Sequence, residues 1–135
     1  MKEQFRLHSM PYAQCHVNIE RDDVSIKVEL VSYSTSVCII RKSLFGVTLY
    51  CSGTYSVTTA RHINRFTAEF LGRSHYHECK AIMRDYSTSF AFPGFACVIG
   101  YDIGSKECVR FCDTVNHYET NSFAAGAVRK YYGSY

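Results

Sequence analysis

Three groups of side chains in this sequence have types and spacings that could do chemistry. Arg61 and Arg65 stand four residues apart with His62 between them, and on a helix that spacing puts both guanidiniums on one side. Such a pair could clamp neighbouring phosphates or anchor a protein partner. Just upstream, Ser56, Thr58 and Thr59 offer hydroxyls to the free N–H groups of a helix start, and a helix start beside arginines is also an anion site. Capping and a solvated basic face explain the same residues without a ligand.

The second group is His75, His77 and Cys79, which share one face if their segment is a strand; Cys108, Cys112 and His117 could complete a set of nitrogen and sulfur ligands for zinc. The sequence has no Cys-x-x-Cys pair, and its cysteines sit among apolar neighbours, so solvated histidines and core thiols compete with a metal site. The third group is a thiol nucleophile with a base: Cys15 beside His16, or Cys112 with Asp113 and His117. Catalytic partners usually come from distant segments, which weakens both pairs. Asp22 and Asp23 are adjacent in a charged run, and neighbours on a strand point to opposite faces, so they read as a solvated turn. Phosphate-binding loops, dinucleotide fingerprints and serine-hydrolase elbows are absent.

Composition sets the frame for these groups. The chain has 135 residues, enough for one domain of 1–135 that buries roughly two-thirds of its unfolded surface. Hydrophobic residues at 47% and charged residues at 20% are those of a globular protein rather than a disordered one. A net charge of +3 permits acidic partners without the clustered charge of a dedicated nucleic-acid domain. No apolar run has the length of a signal peptide or a membrane span, and the seven cysteines are an odd number, so reduced thiols in a cytoplasmic protein are expected. Eleven tyrosines and no tryptophan suit half-buried sheets or an interaction surface.

The elements that must position these residues follow from periodicity. Residues 1–23 show no sustained period and read as an irregular arm. Val24, Ile26, Val28 and Leu30 then alternate with polar residues, predicting a strand. Further strands are expected over Val37–Ile40 and Phe45–Cys51, joined as antiparallel hairpins. The period then changes: Ile63, Phe66, Thr67, Phe70 and Leu71 predict an amphipathic helix, with Gly72 ending it, so that 24–72 forms a strand meander plus helix. In 73–135, strands are expected over His75–Met83, Phe95–Tyr101 and Cys108–Cys112, and a last helix from about Asn121 to Tyr132. The fold class is α+β, an antiparallel sheet carrying one layer of helices.

Residues Ser32-Tyr33-x-Thr35-x-Val37 and Tyr55-Ser56-x-Thr58-Thr59-x-Arg61-His62-Ile63, with Phe66, form a pattern that resembles a family of small uncharacterised bacteriophage and mobile-element proteins. No activity, cofactor or ligand comes with the resemblance. It implies a phage-encoded accessory protein in the bacterial cytoplasm, a context in which proteins of this size bind and block host factors, defence systems included. The expected function is therefore non-enzymatic binding of a host or phage protein through Arg61, His62, Arg65, Tyr131 and Tyr132, with no cofactor. Nucleic-acid binding through the same arginines and exposed tyrosines is the alternative, and a small zinc or thiol enzyme the second alternative.

Overall fold

The computed structural model describes residues 2–53, 56–84 and 92–129, with side chains for all of these but 83–84 and 121–129. Five strands come first: β1 (Lys2–Arg6), β2 (Cys15–Arg21), β3 (Ile26–Ser32), β4 (Thr35–Lys42) and β5 (Gly46–Cys51). Helices α1 (Val57–Leu71) and α2 (Tyr76–Arg84) follow, then β6 (Ala96–Asp102) and α3 (Lys106–Arg129). The strands form one six-stranded sheet in chain order, each antiparallel to its neighbour, so two helices are inserted into a meander without disturbing its order. With three helices on this sheet the fold is α+β, as the periodicity predicts.

Alternation explains the core. Strand side chains of one parity face the helices, and the register lines them up into rows across the sheet. One row runs Phe5, Val17, Leu30, Cys38, Cys51, Ala96; the next runs Ile19, Val28, Ile40, Leu49, Ile99. Onto these rows α1 lays Ile63, Phe66, Phe70 and Leu71, and α3 lays Cys108, Phe111, Val115 and Tyr118, all buried. Phe70 is the hub, with ring centroids 5.2 Å from Phe66, 6.1 Å from Phe111 and 5.1 Å from Tyr118. Each such ring stabilises the fold by roughly 1.5–3 kcal/mol through burial alone. On the opposite face of the sheet Ile39 and Tyr50 are also buried, and Tyr50 meets Phe92 edge to face at 4.9 Å.

Both ends of α1 are punctuated as the sequence predicts. Ser56 is the N-cap, its Oγ accepting the Thr59 N–H, and Gly72 takes φ +91° at the C-terminus, where its N–H donates to the Ala68 carbonyl.

Five expectations need correction. Residues 1–23 are not an irregular arm but carry β1 and β2; Cys15, Val17 and Ile19 alternate inward, while β1, at the sheet edge, buries only Phe5. Val24 does not join the β3 face: it is 61% exposed in a turn where the Asp22 carboxylate accepts the N–H groups of Val24 and Ser25. Phe45, placed by alternation on an apolar strand face, is 86% exposed at the β4–β5 turn. The segment His75–Met83 is not a strand: from Tyr76 it is the helix α2, and the buried His75 and Cys79 stand four residues apart, one helical turn. Cys108–Cys112 is the start of α3, whose buried positions 108, 111, 115 and 118 follow a helical period, and the Ser105 hydroxyl caps it by accepting the Cys108 N–H. The last helix thus begins at Lys106, not near Asn121. No helix among the described residues is long and apolar enough to cross a membrane.

Candidate binding surface

The surface begins with a two-residue turn. Ser32 and Thr35 pair across the β3–β4 hairpin, leaving Tyr33 and Ser34 to reverse the chain, and Tyr33 adopts the left-handed conformation at φ +59° that such turns require. Its N–H donates to the Gln14 carbonyl at 2.7 Å, which ties the turn to the β1–β2 loop. Held this way, Tyr33 is 56% exposed.

Beneath it lies a chain of hydroxyls that starts at exposed Ser56 and runs inward. Ser56 Oγ donates to Thr59 Oγ1 at 3.2 Å; Thr59 Oγ1 and Ser32 Oγ lie 3.0 Å apart; Ser32 Oγ and His62 Nδ1 lie 2.8 Å apart. Ser32 Oγ thus bridges the Thr59 hydroxyl and the His62 ring, since a hydroxyl can donate one hydrogen bond and accept two. Burial of His62 lowers its pKa below the ordinary histidine value and so favours the neutral ring. The knot fastens the first turns of α1 to the end of β3.

The knot corrects one expected contact. His62 is 1% exposed and belongs to the core, whereas Arg61 and Arg65 are exposed on the outer side of α1. Val57, 74% exposed, Arg61 and Arg65 stand at successive four-residue steps, and neither arginine makes a hydrogen bond or ion pair among the described residues. The first turn of α1 holds no acidic residue. The carboxylate of Glu69, farther along the helix, is taken up by the N–H and hydroxyl of Ser9 and by the Tyr118 hydroxyl. The structure thus keeps Arg61 and Arg65 together on one side of α1 and adds Val57 to them, while the ring of Tyr33 lies 6.1 Å from that of buried His62. Tyr131 and Tyr132 lie outside the described residues.

The metal candidates do not converge. Because their segment is a helix, His75 and Cys79 point into the core while His77 points to solvent. His75 Nδ1 lies 2.9 Å from the Arg73 carbonyl, which can only accept, so Nε2 accepts from the Tyr101 hydroxyl at 2.5 Å. Cys79 lies beside Cys51, whose thiol donates to the Cys79 carbonyl, and Cys38 and Cys51 are cross-strand partners. No group of three or more His, Cys, Asp or Glu side chains suited to a metal occurs among the described residues. As for nucleophiles, Cys15 faces the core while His16 lies on the other side of the strand, and burial raises the pKa of Cys15, Cys97 and Cys112, which works against a thiolate. In α3, Cys112 and His117 are five residues apart and do not share a face.

One open cavity of about 590 Å³ lies between the β1–β2 loop, α1 and α3, lined by His8, Ser9, Glu69, Arg110, Asp113, Thr114, His117 and Tyr118. Its floor is a closed network: the His8 ring stacks on Tyr118 at 3.6 Å, the His8 N–H donates to the Tyr118 hydroxyl, and Arg110 and Thr114 donate to the Glu69 carbonyl. Sequence reading missed this cavity because its residues come from three distant segments. It also missed the exposure of Tyr33, because the Tyr-Ser turn lacks the glycine or asparagine that marks a two-residue hairpin.

No curated protein and no solved structure matches the chain. Residues 12–85, which contain β2 to β5, α1, α2, the hydroxyl knot and the Val57–Arg61–Arg65 stripe, match a family described as a family of unknown function (DUF8033). The chain belongs to that family.

Proposed function

We propose that this protein is a non-enzymatic binding protein that docks on another protein through α1. The observation that carries the reading is the pair of exposed arginines, Arg61 and Arg65, without a hydrogen bond or ion pair among the described residues and aligned with exposed Val57. Arginine and tyrosine are the usual anchors of protein interfaces, and a stripe held by a buried knot loses little freedom on binding. The resemblance to small phage and mobile-element proteins supports a bacterial host protein as the partner, a defence-system component for instance, met in the bacterial cytoplasm.

The test is recovery of partners by the tagged protein from a bacterial lysate, with and without nuclease, followed by affinity measurement with the doubly substituted Arg61→Ala/Arg65→Ala chain. Loss of two anchors weakens binding by about tenfold or more. The melting temperature stays nearly unchanged, since exposed side chains without partners contribute within about 0.5 kcal/mol. Unaltered affinity removes the stripe from the interface. Recovery that vanishes with nuclease, together with binding that falls steeply as salt rises, transfers the arginines to phosphate contact.

A further inference from the structure

The two edges of the sheet are built differently. The β1 edge carries Lys2, Glu3 and Arg6, all exposed, and charges of this kind keep an edge from pairing with other chains. The β6 edge, Ala-Cys-Val-Ile-Gly-Tyr-Asp, has no lysine, arginine or proline, and its one charge comes at the last residue. Among the described residues no strand pairs with its outer side, and no hydrogen bond other than the β5 ladder reaches the backbone of Ala96–Tyr101. A β-bulge interrupts the ladder at Val98, the residue without a partner in β5, but pairing is continuous from Ile99 to Asp102. Exposed apolar side chains flank that end of the edge: Ile103 is 53% exposed and Phe45 86%, joined by the bond from the Ile103 N–H to the Phe45 carbonyl.

A row of backbone donors and acceptors left open among the described residues is satisfied by another extended strand, and the exposed side chains of Ile103 and Phe45 favour an apolar one. The chain carries such a strand in β6 itself. We infer that two copies of this protein pair antiparallel along β6 and join their sheets into one. In such a pair with both sheets facing the same way, a central residue opposes itself, and Gly100 fits that position. It is exposed, and it has no side chain to collide. Centring there sets Ile99 opposite the second copy's Tyr101, a β-branched and aromatic pair of the favoured kind, and Asp102 opposite Val98, so no like charges meet.

The experiment is sedimentation of the full chain over a wide concentration range, with hydrogen exchange at both extremes. A monomer–dimer equilibrium is expected, together with slower exchange of the Ile99–Asp102 amides as concentration rises. Gly100→Lys places two like charges directly opposite each other. A Cβ at this position meets nothing nearer than Thr48 Oγ1 at 3.8 Å, so the monomer accommodates the substitution. Its dimer dissociation constant is expected to rise by about tenfold or more, with the melting temperature of dilute protein retained. A chain that stays monomeric at every concentration, or a dimer whose β6 amides gain no protection, overturns the inference. So does a Gly100→Lys chain that remains folded and dimerises as before.

Discussion

His62 illustrates how one side chain can be read correctly as polar and wrongly as a contact. Its neighbours Arg61 and Arg65 face solvent, yet position 62 falls on the stripe of Thr59, Ile63 and Phe66 that must be buried, and the Ser32 hydroxyl is there to satisfy it. A buried neutral imidazole has a consequence for pH. His8, His16, His62 and His75 all have a pKa lowered chiefly by burial, which disfavours the imidazolium. For a base with a depressed folded pKa, the unfolded chain takes up protons first. Stability is therefore full above the unfolded value of about 6.5, falls as pH drops through it, and levels only below the folded values. Urea titrations at pH 7.5 and pH 5 check this, with the midpoint expected to be lower in acid. Replacing His62→Ala costs about 1–3 kcal/mol at neutral pH, because the buried Ser32 hydroxyl loses a hydrogen-bond partner. The same variant flattens the pH dependence; an unchanged slope would remove His62 from the groups that cause it.

At the scale of elements, the β5–β6 pairing depends on a missing side chain. Gly46 opens β5 at φ +149°, and a Cβ there would sit 2.0 Å from the Tyr101 carbonyl oxygen of the strand beside it. Backbone cannot yield as a flexible side chain can, so Gly46→Ala must pry β6 away from β5. The expected loss is about 3 kcal/mol or more, measured by chemical denaturation, and a loss under about 1 kcal/mol would mean the strands separate at this end without cost. Most of the first half of the molecule was legible because its signals agree: Val28 and Leu30, then Val47 and Leu49, alternate cleanly, and α1 has both a buried stripe and two caps. β1 was not legible, since an edge strand with one buried residue has no period to detect. β2 was hidden by Pro11 before it and the charged run after it. The start of α3 is ambiguous by nature, as Cys108, Val109, Phe111 and Cys112 fit a short buried strand as well as a helix; only Val115 and Tyr118, one and two turns on, decide. The stripe of Arg61 and Arg65 could be found from spacing alone, but the exposure of Tyr33 follows from a turn conformation that spacing does not encode.

The whole molecule closes its core from segments inside and outside the family match. Residues 12–85 supply β2 to β5, α1 and α2, yet Phe5 and Leu7 before them and Phe111, Val115 and Tyr118 after them are buried in the same cluster. The matched portion thus cannot bury its own apolar surface, and the stripe on α1 is only as rigid as α3 makes it. That shared core also holds the thiols in an uneven distribution. Cys15, Cys38, Cys51, Cys79 and Cys108 are sealed, Cys112 is half-buried and Cys97 is exposed, and none of the seven is in a disulfide. The chain therefore carries its own clock for opening. A thiol-specific reagent should modify Cys97 at once and Cys112 more slowly, then the five sealed cysteines together at the rate at which the domain comes apart. Mass spectrometry of the time course reads that rate directly, and five unrelated labelling rates would mean that sheet and helices part in pieces rather than as one unit.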